Sequence, residues 1–122
     1  MIFSENSLKP IYIQIAEWIE DEVLKGNIQE EEQVMSSNQF AALYKINPAT
    51  VGKGFNILVE QNILYKKRGI GMFVGTGAKE LIISKRKKEF YSEFVQKLLY
   101  EAEKLGITRN ELIDMLKEEK QL

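Results

Sequence analysis

An α+β chain, mainly helical, is what this sequence predicts, and three observations predict it. Apolar residues recur at helical spacing from Ile11 to Val23 and again from Phe90 to Leu105. Between these runs lie two short helical segments, each opened by a capping signal and joined through Tyr44-Lys45-Ile46. Directly after them, Ile63-Leu64-Tyr65-Lys66 and Met72-Phe73-Val74 read as paired strands around Lys67-Arg68-Gly69-Ile70-Gly71. In this order they are the parts of a winged helix-turn-helix domain, residues 1–77, followed by a two-helix C-terminal tail, residues 78–122, suited to dimerisation.

The first helix is expected to start at Pro10, tolerated at a first helical position, and to run about four turns to Gly26. Ile11, Ile15, Ile19 and Val23 form its apolar stripe. Glu17, Glu20, Asp21 and Lys25 are assigned to the opposite, solvated face, and Trp18 to the core or its edge. Asn27 to Val34 is polar and acidic and reads as a loop with a short strand. Ser36 and Gln39 then have the spacing of a capping box, in which hydroxyl and amide each satisfy a free N–H at a helix start. This second helix is expected to carry Phe40, Ala41 and Leu43 inward, with Ala41 and Ala42 letting another helix approach.

Asn47-Pro48 restarts a helix through a capping side chain and a proline in the first turn. Val51, Phe55, Leu58 and Val59 turn inward, leaving Ala49, Thr50, Lys53 and Asn56 toward the outside. Gly52 and Gly54 each cost about 1 kcal/mol in a helix interior relative to alanine. They fit either a close approach to DNA or a neighbouring helix, or simply a weak helix. In the hairpin that follows, Gly69 and Gly71 permit positive φ, and Lys67 and Arg68 put cations at the turn.

Gly75 and Gly77 mark the boundary before the tail. There Phe90, Phe94, Leu98, Ala102 and Leu105 share a stripe widened by Tyr91, Val95 and Leu99, and Gly106 ends the helix. Thr108 and Glu111 form a second capping box before a helix with Leu112, Ile113, Met115 and Leu116. Two helices cannot bury this much apolar surface by themselves, so a partner surface is implied, with Phe90, Tyr91, Phe94, Leu98, Leu112 and Leu116 as dimerisation residues.

Composition narrows the function. The 122 residues contain no cysteine and no histidine, which removes disulfides, thiolate metal sites and the commonest general base. Neither a catalytic site nor a metal nor any other cofactor is expected; the one dense carboxylate cluster, Glu30-Glu31-Glu32, reads as a solvated loop. The N-terminus lacks a signal-peptide pattern and no run approaches the length of a membrane span, so a soluble cytoplasmic protein is expected. Net charge is only −1, but it is unevenly distributed. Residues 45–74 hold Lys45, Lys53, Lys66, Lys67 and Arg68 against Glu60 alone, whereas the preceding segment is acidic. Such segregation can orient a protein on a polyanion.

The succession PIYIQIAEWIEDEVLKG, VMSSNQFAALYKINPATV and NILYKKRGIGMFV resembles the DNA-binding domain of GntR-type bacterial transcription regulators. The short helical tail is similar to that of the YtrA-like subfamily, whose C-terminal region serves dimerisation. The resemblance implies a homodimeric, sequence-specific regulator, a repressor of a nearby transporter or stress operon, on a double-stranded operator with two-fold symmetry. It also implies contacts from the start of the second helix (Ser36, Ser37, Asn38), from the recognition helix (Asn47, Ala49, Thr50, Lys53) and from the wing (Lys67, Arg68, Gly69, Gly71).

Four positions depart from the family pattern. Asn38 stands for a usual arginine, Met35 for a proline, Ile70 for a basic wing-tip residue, and Ala49 for a longer polar side chain. With the low net charge, Asn38 and Ile70 motivate an alternative, a winged-helix protein-interaction module that does not bind DNA specifically. Replacing Lys67 and Arg68 by alanine separates the two, because only a regulator loses affinity across all DNA sequences. A small-molecule effector is left open: Phe90, Tyr91, Phe94 and Tyr100 fit a ligand pocket less well than a dimer core.

Overall fold

The computed structural model describes residues 2–118, and the chain forms two compact units, 1–84 and 85–122. Met1 and residues 119–122, at the outer ends of the two expected segments, lie outside the described residues. In chain order the elements are α1 (Ile11–Leu24), β1 (Gln33–Val34), α2 (Ser37–Tyr44), α3 (Pro48–Glu60), β2 (Leu64–Lys67), β3 (Gly71–Val74), α4 (Ala78–Phe90), α5 (Gln96–Lys104) and α6 (Arg109–Lys117). Among the described residues no helix is long and apolar enough to cross a membrane.

The first unit is built on α3, which packs against α1, α2 and β2. Its core joins Ile15 and Ile19 of α1 to Val51, Phe55 and Leu58 of α3, with Ile63, Leu64 and Val74 from the sheet and Ala78 and Ile82 from α4. Removing side chains of this size from water contributes roughly 1.5–3 kcal/mol each. The strands form an antiparallel sheet in the order β1-β3-β2, with Tyr65 opposite Phe73, Lys67 opposite Gly71, and Val34 opposite Met72.

Gly54 settles one of the two glycine questions. A Cβ there would stand 2.7 Å from the Tyr12 carbonyl oxygen and 3.3 Å from Ile15, so glycine lets α1 and α3 approach closely. Gly52 faces open space, and a Cβ added to it would meet no atom within 4 Å.

Three expectations need correction. Leu43 does not turn inward: it is 59% exposed, because α2 offers Phe40, Ala41 and Tyr44 to α1 and α3 and leaves the position before Tyr44 outside. Glu20 is not on the solvated face of α1 but 1% exposed, since it lies one turn beyond Ala16 on the buried stripe. Among the described residues no buried side-chain polar atom lacks a hydrogen-bond partner. The long tail helix, finally, is not α-helical throughout: Tyr91–Val95 form a π-helical turn in which the Gln96 N–H donates to the Tyr91 carbonyl five residues back. Pro10, for its part, is the residue just before α1, its carbonyl accepting from the N–H groups of Ile13 and Gln14 at 3.1 Å.

Phe3 adds an unforeseen part of the core. The Gln14 side chain accepts from Ser4 N–H at 2.9 Å and donates to the Ser4 carbonyl at 2.7 Å, tying the N-terminal arm to α1. Phe3 is thereby buried against Trp18, Phe40 and Tyr44, with ring centroids 5.6 to 6.4 Å apart. Edge-on and tilted rings at this spacing are favourable pairs.

Candidate nucleic-acid interface

Both helices of the helix pair begin as their sequences require. The Ser36 hydroxyl accepts from Gln39 N–H at 3.1 Å, and Ser36 N–H donates to the Gln39 side chain at 3.2 Å. Ser36 is therefore held at the start of α2, followed by a half-buried Ser37 and an exposed Asn38. Helix α2 ends at Lys45, whose left-handed backbone (φ 55°, ψ 50°) makes the sharp turn between the helices.

Asn47 Oδ1 accepts from Ala49 N–H at 2.8 Å and so caps α3, with Pro48 in its first turn. This bond uses only the carbonyl side of the amide and leaves its NH₂ group to donate outward. Ala49 and Lys53 are exposed and Thr50 is half-buried. A shallow recess on this side of α3 is lined by Ala49, Gly52, Lys53 and Asn56. The Lys53 ammonium lies 4.0 Å from the centre of the Tyr12 ring on α1. An aromatic face attracts a cation without neutralising it, so Tyr12 holds the charge in place while leaving it able to meet a phosphate. In the sequence Tyr12 falls within the apolar run from Ile11 to Val23, and nothing there signals Lys53.

The wing is a tight turn between β2 and β3. Ile70 N–H donates to the Lys67 carbonyl at 3.0 Å, and Gly69 takes the positive φ (+78°) that the turn requires. Arg68, Gly69 and Ile70 are exposed at its tip. Lys67 is less free than Arg68: its ammonium sits 4.4 Å from the Phe73 ring centre and 5.9 Å from that of Tyr65.

Gln33 of β1 braces the wing from behind, donating from Nε2 to the Ile70 carbonyl at 3.1 Å. Gly71 has φ +148°, and a Cβ on it would lie 2.5 Å from that amide nitrogen, so glycine is needed for the brace to form. A lone glutamine in an acidic loop carries no sequence signal for such a role.

The acidic loop is a structural clasp. Glu30 accepts from the N–H groups of Gly77 (2.9 Å) and Lys79 (3.2 Å), meeting the free donors at the start of α4. Glu31 accepts from the Thr76 hydroxyl at 2.6 Å and from the Tyr65 hydroxyl. Those two bonds, Thr76's first, together with the nearby Lys67 charge, hold the Glu31 carboxyl below its ordinary range, and the Glu31 bond pushes the Tyr65 phenol up. Glu32 accepts from Gln29 N–H at 2.9 Å. Among the described residues no group of three or more His, Cys, Asp or Glu side chains is placed to hold a metal ion.

In the second unit, Phe90, Tyr91, Phe94 and Leu98 are exposed, with the Phe90 and Phe94 rings 5.5 Å apart. The two leucines expected to act with them differ. Leu116 is 78% exposed, whereas Leu112 is 8% exposed and, with Ala102, is buried within the unit. The Thr108–Glu111 capping box forms at the start of α6.

No protein-family model matches the chain. Among curated proteins, it is 28% identical over 113 residues to the HTH-type transcriptional repressor YtrA of Bacillus subtilis, covering 93% of this chain and 86% of that protein. It is 26% identical over 112 residues to the HTH-type transcriptional regulator YhcF of the same organism, covering 92% and 91%. Among solved structures, a GntR-family transcriptional regulator from Bacteroides thetaiotaomicron superposes with a TM-score of 0.77 at 39% identity, over 88% of this chain and 93% of that one. Full-length similarity to regulators of this kind, together with the winged helix-turn-helix, makes the chain a DNA-binding regulator and not an enzyme. The chain belongs to the GntR family of transcription regulators.

Proposed function

We propose that the chain works as a cytoplasmic homodimer that represses transcription from a two-fold symmetric operator. Residues 1–77 contact DNA, and residues 78–122 join the two copies. Each copy lays α3 in the major groove with Asn47, Ala49, Thr50 and Lys53 toward the bases and phosphates, while Ser36, Ser37 and Asn38 meet the backbone. The wing, through Lys67, Arg68, Gly69 and Gly71, follows the adjacent minor groove, where a narrow groove attracts arginine.

The observation that carries this reading is the exposed, capped start of α3, with Lys53 held ready on the Tyr12 ring. For the dimer, support comes from the apolar side chains of the second unit, Phe94 being 60% exposed. That much uncovered aromatic surface is unusual for a monomer. The repressor role follows the name of YtrA, to which the chain is similar along almost its whole length. Control of a neighbouring transporter or stress operon belongs to the same proposal.

Selection of bound duplexes from a random pool, followed by light scattering of the complex, tests it. The expected result is an inverted repeat bound by two chains. Recovery of no enriched sequence overturns specific recognition, and one chain on an asymmetric site overturns the dimer.

A further inference from the structure

The core of the first unit contains an apolar recess of about 220 Å³ that no step of DNA binding uses. Its walls come from four elements: Trp18 of α1, Phe40 and Tyr44 of α2, Phe55 of α3, and Gln33 and Met35 on and after β1. Protein interiors are close-packed, and voids larger than a water molecule are few. No lysine, arginine, aspartate or glutamate lines this one. Met35, at 41% exposure, reaches from the recess to the surface and marks a way in.

Size and lining select the ligand. An apolar cavity of roughly 150 Å³ takes benzene, so this recess suits one substituted ring or two fused rings. A charged molecule would lose its hydration with nothing to pair against. Gln33 is the residue of this wall that also reaches the wing, its amide donating to the Ile70 carbonyl.

The recess also stands between the parts that meet DNA. Gln33 pairs with Phe73 in the sheet and donates to the wing-tip Ile70 carbonyl. Two residues after Val34, the chain enters the Ser36 cap of α2. A molecule wedged between β1 and α2 therefore pushes the wing away from the helix pair. We infer that this recess binds a small uncharged aromatic molecule, and that occupancy lowers DNA affinity by displacing the wing through Gln33. The regulatory half rests on the DNA-binding reading above; the binding half does not.

Trp18 is the sole tryptophan in the chain and reports on its own pocket. The test titrates the full chain with p-cresol, reading Trp18 fluorescence and the amide NMR shifts of Gly69 and Ile70, and then repeats DNA binding with and without the probe. The expected result is a saturable Trp18 change, shifts at the wing, and a DNA affinity lower by about fivefold or more. Ile28 also lines the recess, so Ile28→Phe, which fills it, should abolish the Trp18 response. Should that variant not fold, Met35→Phe closes the mouth from the surface instead. Gln33→Leu should keep the Trp18 response and lose the wing shifts.

A Trp18 signal that does not saturate up to the solubility limit of p-cresol overturns the site. Saturable binding with unmoved Gly69 and Ile70 resonances overturns the coupling, whatever the DNA does. Failure to bind DNA without the probe would count against the DNA-binding reading alone, since fluorescence and wing shifts are read without DNA.

Discussion

Replacing each recognition-helix glycine by alanine should stabilise the protein at Gly52 but not at Gly54. Intrinsic propensity favours alanine over glycine inside a helix by about 1 kcal/mol. At Gly52 nothing opposes that gain, because a Cβ meets no atom within 4 Å. At Gly54 the same methyl would stand 2.7 Å from the Tyr12 carbonyl oxygen, a backbone atom fixed within α1, and 3.3 Å from two atoms of Ile15. Relieving it requires α1 and α3 to separate, and overpacking of this kind costs about 1–3 kcal/mol. After the propensity gain is subtracted, Gly54→Ala should be neutral to about 2 kcal/mol destabilising, and the two variants should differ by about 1–3 kcal/mol. For a unit the size of residues 1–84, 1 kcal/mol corresponds to roughly 4–8 °C in Tm. Urea unfolding followed by circular dichroism, with thermal melts as a second measure, reads the difference. If Gly54→Ala is as stable as Gly52→Ala, close packing of α1 on α3 is not what requires glycine there.

Four further outcomes follow from the geometry. Arg68→Ala should weaken binding to specific and random DNA alike and reduce the slope of log affinity against log salt by about 1, whereas Thr50→Ala should act mainly on the selected sequence; equal effects of both on both DNAs would contradict the division between phosphate and base contacts. Lys53 depends on Tyr12, so Tyr12→Leu should lower DNA affinity with little change in helix content, and unchanged affinity would detach that ring from function. Ser36→Ala and Thr108→Ala each remove a reciprocal cap and should cost about 1 kcal/mol in urea unfolding, the first only in the first unit. Because the folded-state pKa of Glu31 is lowered, its contribution to stability is present above the unfolded carboxylate pKa and is lost as pH falls through the folded value. Glu31→Gln should therefore be less stable than wild type at neutral pH, with the gap closing in acid; a gap independent of pH would mean the charge plays no part.

What the sequence made legible was local chemistry. Ser36 with Gln39, Asn47 with Pro48, and Thr108 with Glu111 announce helix starts because caps are satisfied within three residues, and all three form. The hairpin was equally legible, since positive φ at its turn demands glycine at a fixed place. Contacts between distant residues were not. Phe3 lies outside any helical or strand pattern and reaches the core where Gln14, ten residues on, grips Ser4. Glu30 and Glu31 look like any acidic loop until Gly77, Thr76 and Tyr65 are brought to them. In the candidate interface, the positions on α2, α3 and the wing follow from the caps and turn. The supports behind them, Tyr12 under Lys53 and Gln33 under Ile70, carry no local pattern.

The π-helical turn at Tyr91–Val95 makes the tail tolerant of a change in length. One residue more is wound into that turn than an α-helix would hold, so deleting any one residue there restores regular winding without breaking the helix. Each residue of an α-helix advances the chain by about 100° around its axis. An extra residue in a regular α-helix would turn all that follows by that angle; wound into the π-helical turn it is absorbed, so deleting it would leave Leu98, Leu99 and Ala102 on the same side relative to Phe90. A single codon could thus be gained or lost at this turn while the tail goes on showing the same surface.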